Sequence, residues 1–237
     1  MGVEGHPMMA LDVPRLPTGS TAMDEALGGG FPLQRPSLIW GRNDSYKSIL
    51  LMKLAAQAQH RSLKVGWIDV DRKFKPELAI RIGVDLSDLH ATQCNGISEA
   101  KDALVVASSI CDITFFDSLA GLLPNDAKNE VEQELNYDSS VKSMLRLCFR
   151  KSVIMASTSK VVESMDPAGF EYLPGCHHQR SVCSVIMKVW RGPFDSMDGT
   201  NRLFFNVEKN STYAPRNGTS AIYFGRDEGR QFASFVS

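Results

Sequence analysis

Lys47 and Ser48 close the segment GRNDSYKS, residues 41–48. A lysine followed by a hydroxyl residue is the ending of a phosphate-binding loop. In such a loop, successive backbone N–H groups and a helix N-terminus face the anion. The lysine reaches the terminal phosphates and the hydroxyl ligates Mg²⁺. Gly41, Arg42, Asn43, Asp44, Ser45 and Tyr46 supply the rest of the cradle. The motif G-x-x-x-x-G-K-[ST] wants a glycine just before the lysine, and Tyr46 stands in that place. If the position demands φ > 0, a bulky side chain there costs about 1–2 kcal/mol. A ligand at 100 times its dissociation constant returns about 2.7 kcal/mol. Strain of that size weakens a site without abolishing it.

Acidic residues supply the second half of the chemistry. Asp69 and Asp71 end the run KVGWIDVD (64–71), and Asp117 and Ser118 end ITFFDS (113–118). Asp117, after four residues of apolar strand, suits the second metal contact of a Walker-B-type site. Asp71 is the carboxylate best placed to orient an attacking water. An Asp after a strand is also a frequent helix cap.

These groups need strands that deliver them to one edge. SLIW (37–40) is a short apolar strand running into the loop, and the apolar spacing after it gives a helix to about Gln59. KVGWIDVD, ITFFDS and SVIMAS (152–157) read as further buried strands. KPELAIRIGVD, SEAKDALVVASSI and a segment near Ser139–Arg150 read as helices. Upstream, TGSTAMDEALGGG offers Ser20 as N-cap, one apolar face, and three glycines as a stop. The tail supplies SVCSVIMKVW, NRLFFNVEKN and TSAIYFGR, three strands with turn-rich links. Alternation followed by a strand-rich tail predicts an α/β fold, a mostly parallel twisted sheet finished by antiparallel strands. Ligands of such a sheet sit beyond the carboxyl ends of its strands. Residues 159–181 show no clear periodicity, and a loop that long is functional or disordered.

At 237 residues, 43% hydrophobic and 22% charged, the chain fits one large domain with a sizeable core. Its net charge of −1 excludes a global field for nucleic acid, so any such contact needs a local basic patch. No run of apolar residues predicts a membrane span or a signal peptide. Five cysteines without a C-x-x-C pair predict reduced thiols and a cytoplasmic setting.

The order of these pieces resembles the RecA-type strand-exchange core over roughly residues 14–230. LPTGSTAMDEALGGGFPLQRPSLIWGRNDSYKS is similar to its opening, WIDVDRKFKPELAIRIGVDLSDL to its next strand and helix, and ITFFDSLAGLLP to its Walker-B segment. FNVEKNSTYAP with SAIYFGRDEGR resembles its last hairpin. The UvsX recombinases of tailed phages share an aromatic-Lys-Ser loop ending and an NVEK strand, as in Asn206–Lys209. The resemblance implies a RecA-like P-loop ATPase core with helices on both faces of the sheet and a C-terminal antiparallel hairpin. It also implies a DNA-dependent ATPase using ATP and Mg²⁺, assembly as a helical filament on single-stranded DNA, and strand exchange with double-stranded DNA. Single-strand-binding and mediator proteins are further partners of such a machine. A phage-encoded copy would work in the bacterial host cytoplasm.

By matching position, Lys47 and Ser48 hold phosphate and magnesium, Asp117 is the Walker-B carboxylate, and Asp71 stands where the family usually has a catalytic glutamate. Lys209 matches a lysine that reaches a neighbour's γ-phosphate across a subunit interface. Leu78 stands where an aromatic often stacks on adenine, and Thr158 where a γ-phosphate sensor is expected. The shorter Asp71 predicts slow hydrolysis.

Residues 1–16 are left as a short N-terminal arm that could link protomers, ahead of a core over 17–237. The DNA loops fall by position near 125–138 and 160–181. The first is acidic and reads better as a solvated helix face or a subunit contact. In the second, Lys160 and Arg180 bracket Phe170, Tyr172, His177 and His178, cations and rings suited to sequence-tolerant single-strand binding. The other reading of the chain is a RecA-fold mediator or paralogue that binds nucleotide poorly and acts through protein contacts. Tyr46, Asp71, Leu78 and Thr158 favour it. A helicase-type or clock-type ATPase on the same core lacks support from the NVEK hairpin and the short arm.

Overall fold

The computed structural model describes residues 13–122, 130–148, 151–158, 160–162, 170–173, 176–195, 200–214, 217–223 and 234–236. The chain begins with Arg15–Leu16 (β1), helix α1 at Thr21–Leu27, and Phe31–Pro32 (β2), which pairs antiparallel with β1. The Ser20 hydroxyl accepts the Met23 N–H, and Gly28 at φ 76 turns the chain out of α1 with its N–H on the Asp24 and Glu25 carbonyls. The expected cap and stop are both present. Of the 1–16 arm, residues 1–12 lie outside the described residues.

Ser37–Gly41 (β3) runs through the loop into Lys47–Gln59 (α2). Val65–Asp69 (β4), Pro76–Ile82 (α3), Leu89–Gln93 (β5), Ile97–Ile110 (α4) and Ile113–Asp117 (β6) follow. Next come Glu130–Leu147 (α5), Val153–Thr158 (β7), Lys160–Val162 (β8), Phe170–Tyr172 (β9) and Cys176–Val182 (α6). The tail is Val185–Asp195 (β10), Thr200–Asn210 (β11), Asn217–Tyr223 (β12) and Ser234–Val236 (β13).

One nine-stranded sheet has the order β13-β12-β11-β10-β3-β7-β6-β4-β5. Every pairing from β10 to β5 is parallel, and those among β10, β11, β12 and β13 are antiparallel. The mostly parallel α/β core with an antiparallel C-terminal hairpin is therefore as the sequence predicts. Successive strand residues point to opposite faces, and both faces are apolar here. Ile39, Trp67, Phe115, Ile154 and Met187 pack with α1, α2 and α3 on one side. Leu38, Ile68, Phe116, Met155 and Ile186 pack with α4 and α5 on the other. Strands covered on both sides read as continuous apolar runs, which is why they were legible.

Three departures from the sequence reading have physical causes. β5 has the sequence LHATQ with mostly exposed residues, so no apolar run marks it. α5 begins at Glu130, nine residues ahead of the expected start at Ser139, so 130–138 of the first expected DNA loop is helix. Among the described side chains its buried positions begin with Tyr137 and Val141, and the sequence before them is mainly acidic or amide. Within 159–181, the β8–β9 ribbon and α6 replace the expected long loop. Those elements have 3, 3 and 7 residues, too short for a period to emerge.

Candidate functional site

The parallel register brings the chemistry-bearing residues level at one edge. Gly41 of β3 pairs with Thr158 of β7, and Asp69 of β4 with Asp117 of β6. Beyond these ends lies a cavity of about 660 Å³, lined by residues 43–49, Asp71, Leu78, Asp117, Ser118 and Thr158. That volume lies within the roughly 300–1,000 Å³ typical of small-molecule sites. The sheet thus gathers the loop, both expected carboxylates and the two variant positions into one space. Gly41 and Arg42 stand behind it, and their carbonyls accept the Lys47 ammonium at 3.0 and 2.6 Å. Lys47 Nζ also lies 3.3 Å from Ser45 Oγ, and Lys47 is 8% exposed.

Gly41 is required by close approach. A Cβ there would stand 2.1 Å from the Val189 carbonyl oxygen. Tyr46 occupies the N-cap of α2 at φ 63, ψ 17, so the position does demand the left-handed conformation that glycine adopts freely. Asp44, two residues earlier, has φ 58. The Tyr46 hydroxyl donates to Asn201 Oδ1 at 2.9 Å, and the Arg191 guanidinium sits 5.5 Å from the ring centre. Burial raises the Tyr46 pKa.

Asp117 is 8% exposed, with the Ser48 side chain beside it. Burial pushes its carboxyl up to about 6, helped by the charges of Asp71 and Asp69 against the opposing effects of Ser48 and Lys47. Asp71 accepts from Ser118 Oγ at 3.0 Å and lies 3.7 Å from Lys73 Nζ. Asp69 has a different task. Its two oxygens accept the Lys73 and Phe74 amides at 3.1 and 2.9 Å, fixing the turn that carries Asp71. The cavity wall also holds Arg72, Lys73, Lys75 and Arg191. None of these cations was singled out from sequence, because their approach to the loop depends on the turn after β4 and on the β10–β11 hairpin.

Lys209 is not on that wall. Its ammonium donates to the Arg180 carbonyl at the end of α6. The neighbouring Glu208 carboxylate holds Arg180 at 3.4 Å and the Trp40 indole N–H at 3.2 Å. His178 Nε2 lies 3.0 Å from Asp138 Oδ2, tying α6 to α5. The β8–β9 register sets Lys160 opposite Tyr172 and Val162 opposite Phe170. The side chains of Lys160, Phe170, Tyr172 and His177 lie outside the described residues.

The family described as RecA N-terminal domain matches residues 4–163, a span reaching from ahead of α1 through β8 and taking in the loop and both carboxylates. The chain belongs to the RecA family. Among similar proteins is Protein RecA of Streptomyces ambofaciens, 36% identical over 135 residues, covering 56% of this chain and 35% of that protein. Protein RecA of Symbiobacterium thermophilum is 34% identical over 164 residues, covering 67% of this chain and 46% of its own length. The chain spans less than half the length of these RecA relatives. No helix among the described residues is long and apolar enough to cross a membrane.

Proposed function

We propose that this chain is an ATP-dependent recombination protein of the RecA type, a DNA-dependent ATPase that assembles on single-stranded DNA and promotes pairing with double-stranded DNA. Its motifs point to the phage UvsX branch. The observation that carries the reading is the convergence of Lys47, Ser48, Asp71 and Asp117 on one cavity at the N-terminus of α2.

The residues present fit a magnesium-bound nucleoside triphosphate. The loop is shaped so closely that a Cβ at Gly41 has no room, and α2, 13 residues long, turns its N-terminus to the cavity. Amides of residues 43–47 and the Lys47 ammonium would take the phosphates, and Ser48 and Asp117 would hold the metal, whose charge would offset that of the phosphates. Asp71 orients the attacking water and is itself steadied by Ser118 at 3.0 Å. Leu78, on the cavity wall, would offer the base an aliphatic contact in place of a stacking ring. Lys209, outside the cavity of its own protomer, is proposed to act on a neighbour's nucleotide.

Self-assembly has structural support at the sheet edge. Among the described residues β5 is terminal in the sheet, and Val106 and Ile110 of α4, 57 and 48% exposed, line a cavity together with its His90 and Thr92. An unpaired strand edge next to apolar surface is a template for strand addition. For the DNA contact, the proposal assigns Lys160, Phe170, Tyr172, His177, His178 and Arg180, with cations on phosphate and rings on bases.

The second reading, a mediator that works through protein contacts, is favoured by Asp71, whose carboxylate is already engaged by Ser118 and Lys73. ATP hydrolysis with and without single-stranded DNA, beside Lys47→Ala and with electron microscopy of the ATP complex, separates the two. DNA-stimulated hydrolysis lost in Lys47→Ala, together with long regular filaments, is the expected result. Hydrolysis indifferent to that substitution overturns the enzyme reading, and isolated monomers or dimers favour the mediator. Lys209→Ala should lower only the rate of the assembled protein; equal loss in dilute monomer refutes its trans role.

A further inference from the structure

Tyr46 is held in a strained conformation by residues outside its loop. At φ 63 it sits where side chains are disfavoured, and it makes no side-chain cap to α2. Its hydroxyl instead crosses to the C-terminal hairpin, donating at 2.9 Å to Asn201 Oδ1. The same Oδ1 receives the Arg191 guanidinium at 3.3 Å, and that guanidinium also lies over the Tyr46 ring. Asn201 is 7% exposed, so its carbonyl oxygen has little water to fall back on. It is fixed in the sheet between Phe194 of β10 and Ile222 of β12. β10 departs from regular register between Arg191 and Phe194, next to these contacts.

Residues 43–45 line both the 660 Å³ cavity and a second cavity of about 580 Å³, and so does Arg191. Ser45 is buried and tied to Lys47, while the anchor of Tyr46 on Asn201 adds a hold on the loop from the hairpin.

We propose that Asn201 is a positioning residue for the nucleotide loop, acting through the Tyr46 hydroxyl, with Arg191 as the clamp that keeps the phenol ring over the hairpin. This rests on the reading of the loop as an ATP site. Where glycine would adopt the conformation unaided, this chain uses a tyrosine and a distant amide. Nucleotide affinity is thereby tied to the docking of the β10–β11 hairpin against the loop.

The test is titration of a fluorescent ATP analogue with Mg²⁺ into the full chain, with hydrogen exchange of the 43–47 amides in the nucleotide-free protein as a second readout. Lys47→Ala comes first. If it binds as the wild type does, the ATP reading fails and this inference falls with it. With that control satisfied, Tyr46→Phe and Asn201→Leu should each weaken binding by about three- to tenfold and speed exchange in the loop. The double variant should be no worse than the weaker single. In a Tyr46→Gly background, Asn201→Leu should change affinity by less than about twofold, because glycine needs no anchor. Additive losses, unchanged binding in Tyr46→Phe, or an equal loss from Asn201→Leu in the Tyr46→Gly background would each overturn it. Tyr46→Phe removes one oxygen at constant volume, so it decides the matter if Asn201→Leu does not fold.

Discussion

Replacing Asp117 by Asn should stabilise the nucleotide-free protein near neutral pH and weaken its response to Mg²⁺ and ATP. The carboxyl is 8% exposed, and burial, aided by Asp71 and Asp69, raises it from 3.8 to about 6. Well below pH 3.8 the folded and unfolded states both hold the proton, and the group is neutral in the comparison. As pH rises towards 6 the unfolded chain ionises first, so the native state loses stability. Once both states are ionised, the loss amounts to about 3 kcal/mol. Asn has nearly the same shape and never ionises, and the Ser48 hydroxyl and the neighbouring carboxylates can accept its N–H groups.

Urea unfolding in the presence of a chelator measures this directly. At about pH 7.5 the Asp117→Asn variant should be more stable by about 2–3 kcal/mol, and at about pH 4 the gap should fall below about 1 kcal/mol. Adding Mg²⁺ with ATP should then stabilise the wild type more than the variant, since ligand binding shifts the native state by mass action. A stability gap of the same size at both pH values would refute the burial argument. So would a wild type more stable than the variant at pH 7.5 without metal.

Two more substitutions probe the frame around the site. Gly41→Ala places a methyl group 2.1 Å from the Val189 carbonyl oxygen and 2.8 Å from Ser45 Oγ. It should cost about 1–3 kcal/mol by urea unfolding and loosen nucleotide binding as well; unchanged stability would show that β3 and β10 can part there freely. Lys53 on α2 is 7% exposed, and burial lowers its pKa from 10.5. Lys53→Met should raise stability by about 1 kcal/mol at neutral pH. That advantage should shrink as pH rises towards 10.5, because the native lysine sheds its proton before the unfolded one; an advantage that grows with pH would contradict the assignment.

The layout of the site was legible from sequence wherever a local signal reports a local structure. Ser20 and Gly28 bracket α1 because capping is settled within a turn. β3, β4, β6 and β7 announce themselves because each is covered on both faces. The loop, Asp71 and Asp117 follow from those strands, since their ends share one register. The Tyr46–Asn201 bond spans 155 residues and leaves no trace in either neighbourhood. Asp69 looked like a candidate ligand, yet its oxygens are taken by the backbone of the following turn. β5 was missed because its exposed residues obey no burial pattern, the same property that leaves it at the margin of the sheet.

The two margins of the sheet are unlike. Among the described residues one is β5, joined by parallel pairing, and the other is β13, joined by antiparallel pairing. A neighbour can dock on the β5 edge in two ways, with its own β5 across a two-fold axis or with a different surface of its own. Contacts of the second, head-to-tail kind do not cancel in pairs as a two-fold dimer does; they repeat until they close into a ring or run on as a helix. Any polymer built this way has a direction, with a growing front that differs from its rear.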